Sequence, residues 1–317
     1  MDRIRIPALF VRTGVFMLCR VPYRNGRPRL RSFCPLCVLG CFFATSAEAI
    51  DLQPGELLPL TTGTTVFQLA YTYSLKTELV RHGEVVPGNP EIVASLFQWR
   101  LARYSEASGH PMILVAQVPL GSIQPGGDLS ALSGDRGVGD ATFILGVWPY
   151  ANFVTQTFLA TGIYLSIPTG HYSSARPFNL GENRVRIAWQ LGYQAPVVDR
   201  LIWMWVVDAT YFQDNTDYGS ASLSLSQAPL YATQLALKFQ WTASVALAAG
   251  YFYTAGGQTQ IDGLSQDNAV QTQRYQLSGF FAFTPTSLAT LQYGGDLSTE
   301  NGFREVHRLL LRYTTLF

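Results

Sequence analysis

The sequence predicts an all-β fold: an antiparallel transmembrane β-barrel of twelve strands with the N- and C-termini periplasmic. Three observations predict it. Hydrophobicity alternates with a period of two along most of the chain, connections are long and short by turns, and an aromatic residue ends the last alternating segment.

In the final segment Phe317, Thr315, Tyr313, Leu311 and Leu309 share one face of a strand, while Leu316, Thr314, Arg312, Leu310 and Arg308 share the other. A terminal aromatic suits the interfacial belt of a membrane barrel, and a C-terminal strand ending in Phe317 suits the barrel-assembly machinery as a partner. The same alternation marks twelve segments: 64–78, 91–105, 110–120, 138–149, 156–168, 182–196, 199–213, 228–242, 244–256, 270–284, 286–297 and 303–317. Most run 11 to 15 residues, enough to cross a bilayer at a steep tilt.

The gaps 79–90, 121–137, 169–181, 214–227 and 257–269 are long, and only the last outer one, 298–302, is brief. Between them lie short links at 106–109, 150–155, 197–198, 243 and 285. A soluble sandwich has no reason to keep that order, whereas an outer-membrane barrel has turns on one side and loops on the other. With odd strands rising outward, Trp148, Trp203, Trp205 and Trp241 fall near periplasmic ends. Tyr71, Tyr73, Tyr211, Tyr231, Tyr251, Tyr253, Tyr275 and Tyr293 fall near external ends.

Residues 1–49 read as a signal peptide that is removed. Eight arginines lie between Arg3 and Arg31, an apolar stretch runs from Phe33 to Phe43, and Ala47-Glu48-Ala49 has the small-x-small pattern of a cleavage site. Met17 is an alternative start. Residues 50–63 then form a periplasmic N-terminal lead, and 64–317 the barrel. All four cysteines (Cys19, Cys34, Cys37 and Cys41) precede the cleavage site, so the mature chain has no disulfide framework and no thiolate metal site. It also loses eight arginines with Asp2 and Glu48, which leaves 14 basic against 19 acidic residues. No basic tract remains for nucleic acid.

Three patches carry a resemblance. Gly137-Val138-Gly139-Asp140 opens one strand, Pro168-Thr169-Gly170 closes the next, and Leu180-Gly181 leads into the third. This order resembles the meta-pathway phenol-degradation (MetA-pathway) family of outer-membrane β-barrel transporters. Glu182-Asn183 stands where related sequences have a small residue followed by glycine. The resemblance implies passage of small, hydrophobic or aromatic molecules across the outer membrane. Read from the residues alone, Gly137 and Gly139 allow the backbone angles of a strand mouth, Pro168 ends a strand and Gly170 turns it.

Inward parity collects Lys76, Arg100, Arg184, Arg186, Lys238, Arg274, Arg308 and Arg312, with Glu78, Asp140, Asp208 and Asp296 as the acids. The candidate solute path is lined by Asp140, Arg184, Arg186, Asp208, Lys238, Arg274, Arg308 and Arg312. Two readings stay open: the arginines satisfy acids and carbonyls in a barrel filled by its own side chains, with Asp140 answering one of them, or they form a basic constriction for anionic solutes such as aromatic carboxylates.

No catalytic or metal-binding residues and no cofactor are indicated. The four histidines are His82, His110, His171 and His307, and none forms a pair at metal-ligand spacing. The sequence reading is a passive transporter or channel for small organic molecules, with membrane lipid and the solutes as partners and the route axial or through a wall opening. A non-conducting surface-interaction barrel is the alternative. A lipid hydrolase built on His307 with Ser298 or Asn301 is the third.

Overall fold

The computed structural model describes residues 50–317, so the expected signal peptide and all four cysteines lie outside the described residues. Twelve long strands form the wall: β1 (Thr65–Arg81), β2 (Pro90–Ala107), β3 (His110–Gly127), β4 (Ala141–Asn152), β5 (Thr157–Ile167), β6 (Arg186–Val198), β7 (Leu201–Phe212), β8 (Leu230–Gln240), β9 (Val245–Gly256), β10 (Val270–Thr284), β11 (Ser287–Thr299) and β12 (Gly302–Leu316). Each pairs antiparallel with its neighbour in sequence, and β12 returns to β1 from Val66↔Leu316 through Val80↔Gly302. Thr65 and Phe317 exchange both backbone hydrogen bonds at the seam, at 3.0 and 2.9 Å.

Closure is what the solvent demands, because hydrocarbon offers no partner to a free peptide group and a closed sheet leaves no edge. Among the described residues no helix is present. The side chains divide as the alternation implies. Phe97, Trp99, Phe143, Trp189, Leu237, Leu277, Leu291 and Leu311 are exposed on the outside, while Gln190, Gln234, Gln276, Gln292 and Arg312 are buried within.

Each expected segment meets a wall strand, with ends displaced by a few residues except at β3, which continues to Gly127. Pro119 and Gly121 look like breakers in the sequence. The strand survives them because its pairing with β2 is unbroken, and because Pro119, which has no N–H to give, stands where β4 turns away. Pairing with β4 ends at Gln117↔Thr142, and Asp135–Val138 takes over at Leu120↔Val138. At the long-loop end, Asn215–Tyr218, Leu223–Gln227, Thr259–Ile261 and Leu264–Ser265 build a separate four-stranded sheet from two of the loops.

Two expectations are corrected. Of residues 50–63, taken as a lead preceding the barrel, 50–60 run inside it and 61–63 are exposed. Gln190 Nε2 donates to the Ile50 carbonyl at 3.1 Å, Leu52 exchanges two hydrogen bonds with the Gln234 side chain, and Gln53 meets Gln292. The segment turns on Gln53–Glu56, with Gly55 at φ +97°, a backbone angle that L side chains rarely adopt. Trp148, assigned to an interfacial girdle, is 3% exposed and points inward, where its indole donates to the Leu57 carbonyl at 2.7 Å. It shares the inward parity of Thr142 and Ile144, and near a strand end that parity outweighs the general preference of Trp for the interface.

Leu57 is the apolar anchor of the inner segment. It packs in a cluster with Tyr104, Val115, Ile144, Trp148, Phe158, Tyr164 and Met204 toward the short-turn end. Gly192 explains how it fits: a Cβ there would lie 2.8 Å from the Leu57 side chain.

Candidate functional site

The inner segment divides the lumen. A cavity of about 440 Å³ lies on the long-loop side, lined by Lys76, Asp140, Glu182, Arg186, Arg308 and Arg312 among others. A second, of about 360 Å³, lies on the short-turn side and is mainly apolar, with Leu57, Leu58, Tyr104, Val115, Trp148 and Leu288 in its lining. Leu52, Arg100, Ile144 and Tyr164 line both.

The three glycine-rich patches of the sequence converge at one place at the long-loop mouth. Asp140 Oδ1 accepts the Gly170 N–H at 2.8 Å, and Oδ2 accepts the Glu182 N–H at 2.8 Å. Thr169 Oγ1 accepts the Ala141 N–H at 2.9 Å, just after Pro168 has ended β5. The Gly181 N–H donates to the His171 carbonyl and the His171 N–H to the Val138 carbonyl, so the backbones cross closely. A Cβ on Gly170 would lie 2.7 Å from the Gly139 carbonyl carbon, and one on Gly181 would lie 2.8 Å from that of Gly170. Here glycine is needed for room. Gly137, at φ +158°, packs against the His171 side chain, and the Leu180 N–H donates to Asp135 Oδ2 at 2.8 Å.

Asp140 therefore serves the backbone, where pairing with a lumenal arginine was one of the two readings of it. Burial pushes its carboxyl above the usual carboxylate range, against the pull of the Glu182 and Gly170 N–H groups. Glu182 takes the arginines instead, with Oε2 at 2.8 Å from Arg184 Nη2 and Oε1 at 3.0 Å from Arg186 Nη1. Burial alone would raise its pKa, but Arg186 and Arg184 outweigh it and hold the carboxyl below its ordinary value. The residue that departs from the family pattern is thus the one that neutralises two cations of the mouth.

The other charges of inward parity have mixed partners. Arg274 pairs with Asp51 and lies over the Phe252 ring at 4.3 Å. Arg308 meets Glu305 at 3.4 Å, and Arg312 meets Glu56 at 2.7 Å. Lys238 lies over Phe280 at 4.5 Å with its ammonium beside Gly55. Asp208 is buried next to Gln190, its register partner on β6. Asp296 accepts the Glu305 N–H at 2.8 Å.

Asp51, Gln53 and Glu56 were missed as lumen residues. Their signal was available: Leu52, Leu57, Leu58 and Leu60 interleaved with Asp51 and Glu56 make a poor solvated lead, but a good match to a half-apolar, half-basic interior. The carboxyl of Glu56 is held low despite its burial, by Arg312 and Arg100. Of the hydrolase candidates, His307 Nδ1 is bonded to the Tyr293 hydroxyl at 2.8 Å, and the Asn301 amide is committed to the backbones of His82 and Ala269.

Residues 83–313 match the family described as Putative MetA-pathway of phenol degradation. The fold is similar to the COG4313 outer membrane channel from Pseudomonas putida F1, with 30% sequence identity, a TM-score of 0.81, and coverage of 84% of this chain and 100% of that one. More distant likenesses include the KdgM porin in complex with disordered oligogalacturonate, at 8% identity and TM-score 0.44 over 79% of this chain and 99% of that one. The CymD monoaromatic hydrocarbon channel stands at 12% identity and TM-score 0.38 over 81% and 89%. No curated protein matches.

Proposed function

On the premise that the chain belongs to the MetA-pathway phenol-degradation family of outer-membrane barrels, we propose that it is a passive conduit for small apolar or aromatic organic molecules. One observation carries the reading: a cavity of mixed lining that holds the charged groups under the loops is followed, past the inner segment, by a mainly apolar cavity of about 360 Å³. That volume falls in the range of small-molecule sites, ~300–1,000 Å³. A solute would shed water at the loops and rest against Leu57, Tyr104 and Trp148 before leaving among the short turns.

In this reading the loops face outward, the short turns and both chain ends face the periplasm, and export uses the cleaved signal peptide of residues 1–49. The strand ending in Phe317 engages the assembly machinery. Uptake of labelled neutral aromatics, aromatic acids and sugars by cells with and without the gene tests the proposal. Faster entry of the aromatic classes is the expected outcome, and equal entry of all three with and without the gene would overturn it.

A non-conducting surface barrel is the second reading, favoured by the four-stranded sheet of the loops and by the segment that crosses the lumen. Swelling of proteoliposomes in aromatic solutes separates the two, since a non-conducting barrel produces none.

A further inference from the structure

We infer that Arg312 and Arg100 form a receptor for a carboxylate solute with an apolar body, and that Glu56 occupies it as an internal stand-in which the solute displaces. The inference rests on the conduit reading and names the solute class for the same lumen.

The charges at this point do not balance. Arg312 Nη1 lies 2.7 Å from Glu56 Oε1, but Arg100 Nη1 is 3.7 Å from the same oxygen, too far for a hydrogen bond. Lys238 brings a third cation to the turn, its ammonium lying beside Gly55. Glu56 acts on all three, and Asp51, though engaged by Arg274, also lies within electrostatic reach of Arg312. Arg100 Nε is buried with no hydrogen-bond partner, and so is Oε1 of Gln68, its cross-strand neighbour on β1. The lost hydration of such a donor is not repaid; Arg176, Arg184, Arg274 and Arg304 each carry one too, but at Arg100 an unmet acceptor stands across the strand pair. A second carboxylate at Arg100, with any hydroxyl of the solute toward Gln68 Oε1, would repay it.

The space beside this cluster sets the rest of the ligand. Arg100 and Glu56 are both in the lining of the apolar cavity, with Leu57, Leu58, Tyr104, Val115 and Trp148 around it. A cavity of ~150 Å³ suffices for benzene, so about 360 Å³ accepts a single-ring body with room to turn. A neutral aromatic would fill the cavity and leave Arg100 unanswered. An inorganic anion would answer Arg100 and leave the cavity empty. A monocarboxylate with one ring or a short chain does both.

Glu56 is suited to being displaced. Its other oxygen, Oε2, caps the turn by accepting the Gln53 N–H at 3.0 Å, so the turn keeps its shape when Oε1 leaves Arg312. A second carboxylate answers the surplus of cations at the turn, and the departure of Oε1 from Arg312 frees the segment at that tether alone. Tethers remain on both sides, Asp51 to Arg274, Leu52 to Gln234 and Gln53 to Gln292 before the turn and Leu57 to Trp148 after it, and they limit the movement.

The test measures binding of benzoate and of benzyl alcohol, which has the same ring without the charge, to the folded full barrel, alongside flux of both in proteoliposomes. Heat-modifiable electrophoretic mobility confirms that each variant has folded. Glu56→Gln removes the competing charge and is expected to raise the ratio of benzoate to benzyl alcohol affinity about tenfold. Arg312→Met and Arg100→Met are each expected to abolish the preference for benzoate, and Arg312→Lys to restore part of it. An unchanged or lowered ratio in Glu56→Gln, or a preserved preference in both Met variants, would overturn the inference and leave Glu56 as a brace. If benzyl alcohol enters the proteoliposomes while the variants leave the benzoate ratio untouched, the carboxylate receptor fails and the conduit stands. Exclusion of both solutes would end both.

Discussion

The two halves of the lumen use opposite chemistry to stay ordered. On the long-loop side order comes from charge and from close backbone crossings: Asp140 binds two N–H groups, Glu182 holds Arg184 and Arg186, and glycines let two loops meet. On the short-turn side it comes from apolar packing around Leu57, with one indole bond fixing the height of the inner segment. This interior is therefore graded. Charged and hydrogen-bonding groups gather at the loop end and hydrocarbon at the turn end, and the inner segment is the boundary.

The largest effect should come from erasing that boundary. Deletion of residues 50–58 joins the two cavities, and single-channel conductance in planar bilayers is expected to rise several-fold. An unchanged conductance would mean that the division does not limit passage.

Next is the apolar half. Trp148→Ala removes both the packing against Leu57 and the bond to its carbonyl, a loss of about 3–5 kcal/mol for a buried Trp. Hydrogen exchange in residues 50–60 should report the loosening, while protection in β10 to β12 stays as it was.

On the polar half, Glu182→Gln leaves the buried Arg184 guanidinium with weaker partners, at a cost of about 1.5–3 kcal/mol. The gel transition of the folded barrel should move to lower temperature. Gly192→Ala presses on Leu57 at 2.8 Å and should cost about 1–3 kcal/mol, read in the same assay.

Acid gives the smallest effect. The carboxyl of Glu182 is held below its ordinary value near 4.5, so its contribution is complete above that value and disappears as the pH falls through the lower folded one. The wild-type transition temperature should drop in that window and that of Glu182→Gln should stay flatter. Equal slopes would remove Glu182 from the account.

Much of this architecture was legible in the chain. Strand existence, even number and the sequence of long and short connections all follow from a period of two and from turn residues, both local properties. Lys76, Arg100, Arg186, Arg308 and Arg312 line the cavity under the loops, because parity within a strand leaves a side chain only two directions. Their partners were not legible. Glu182 and Arg186 are close in sequence, but Glu56 and Arg312 stand 256 positions apart and meet only after the barrel has closed. Trp148 was misassigned because residue type was weighed above parity.

The alternation of this chain's residues marks strands with an apolar face, and strands in lipid satisfy their backbone only by closing into a barrel. Its glycine-rich patches likewise announced a place of close approach. Which groups meet inside was a matter of three-dimensional closure. The segment 50–63 has no strand periodicity of its own, and it found its place because a basic, half-apolar interior of the right width was there to receive Glu56 and Leu57.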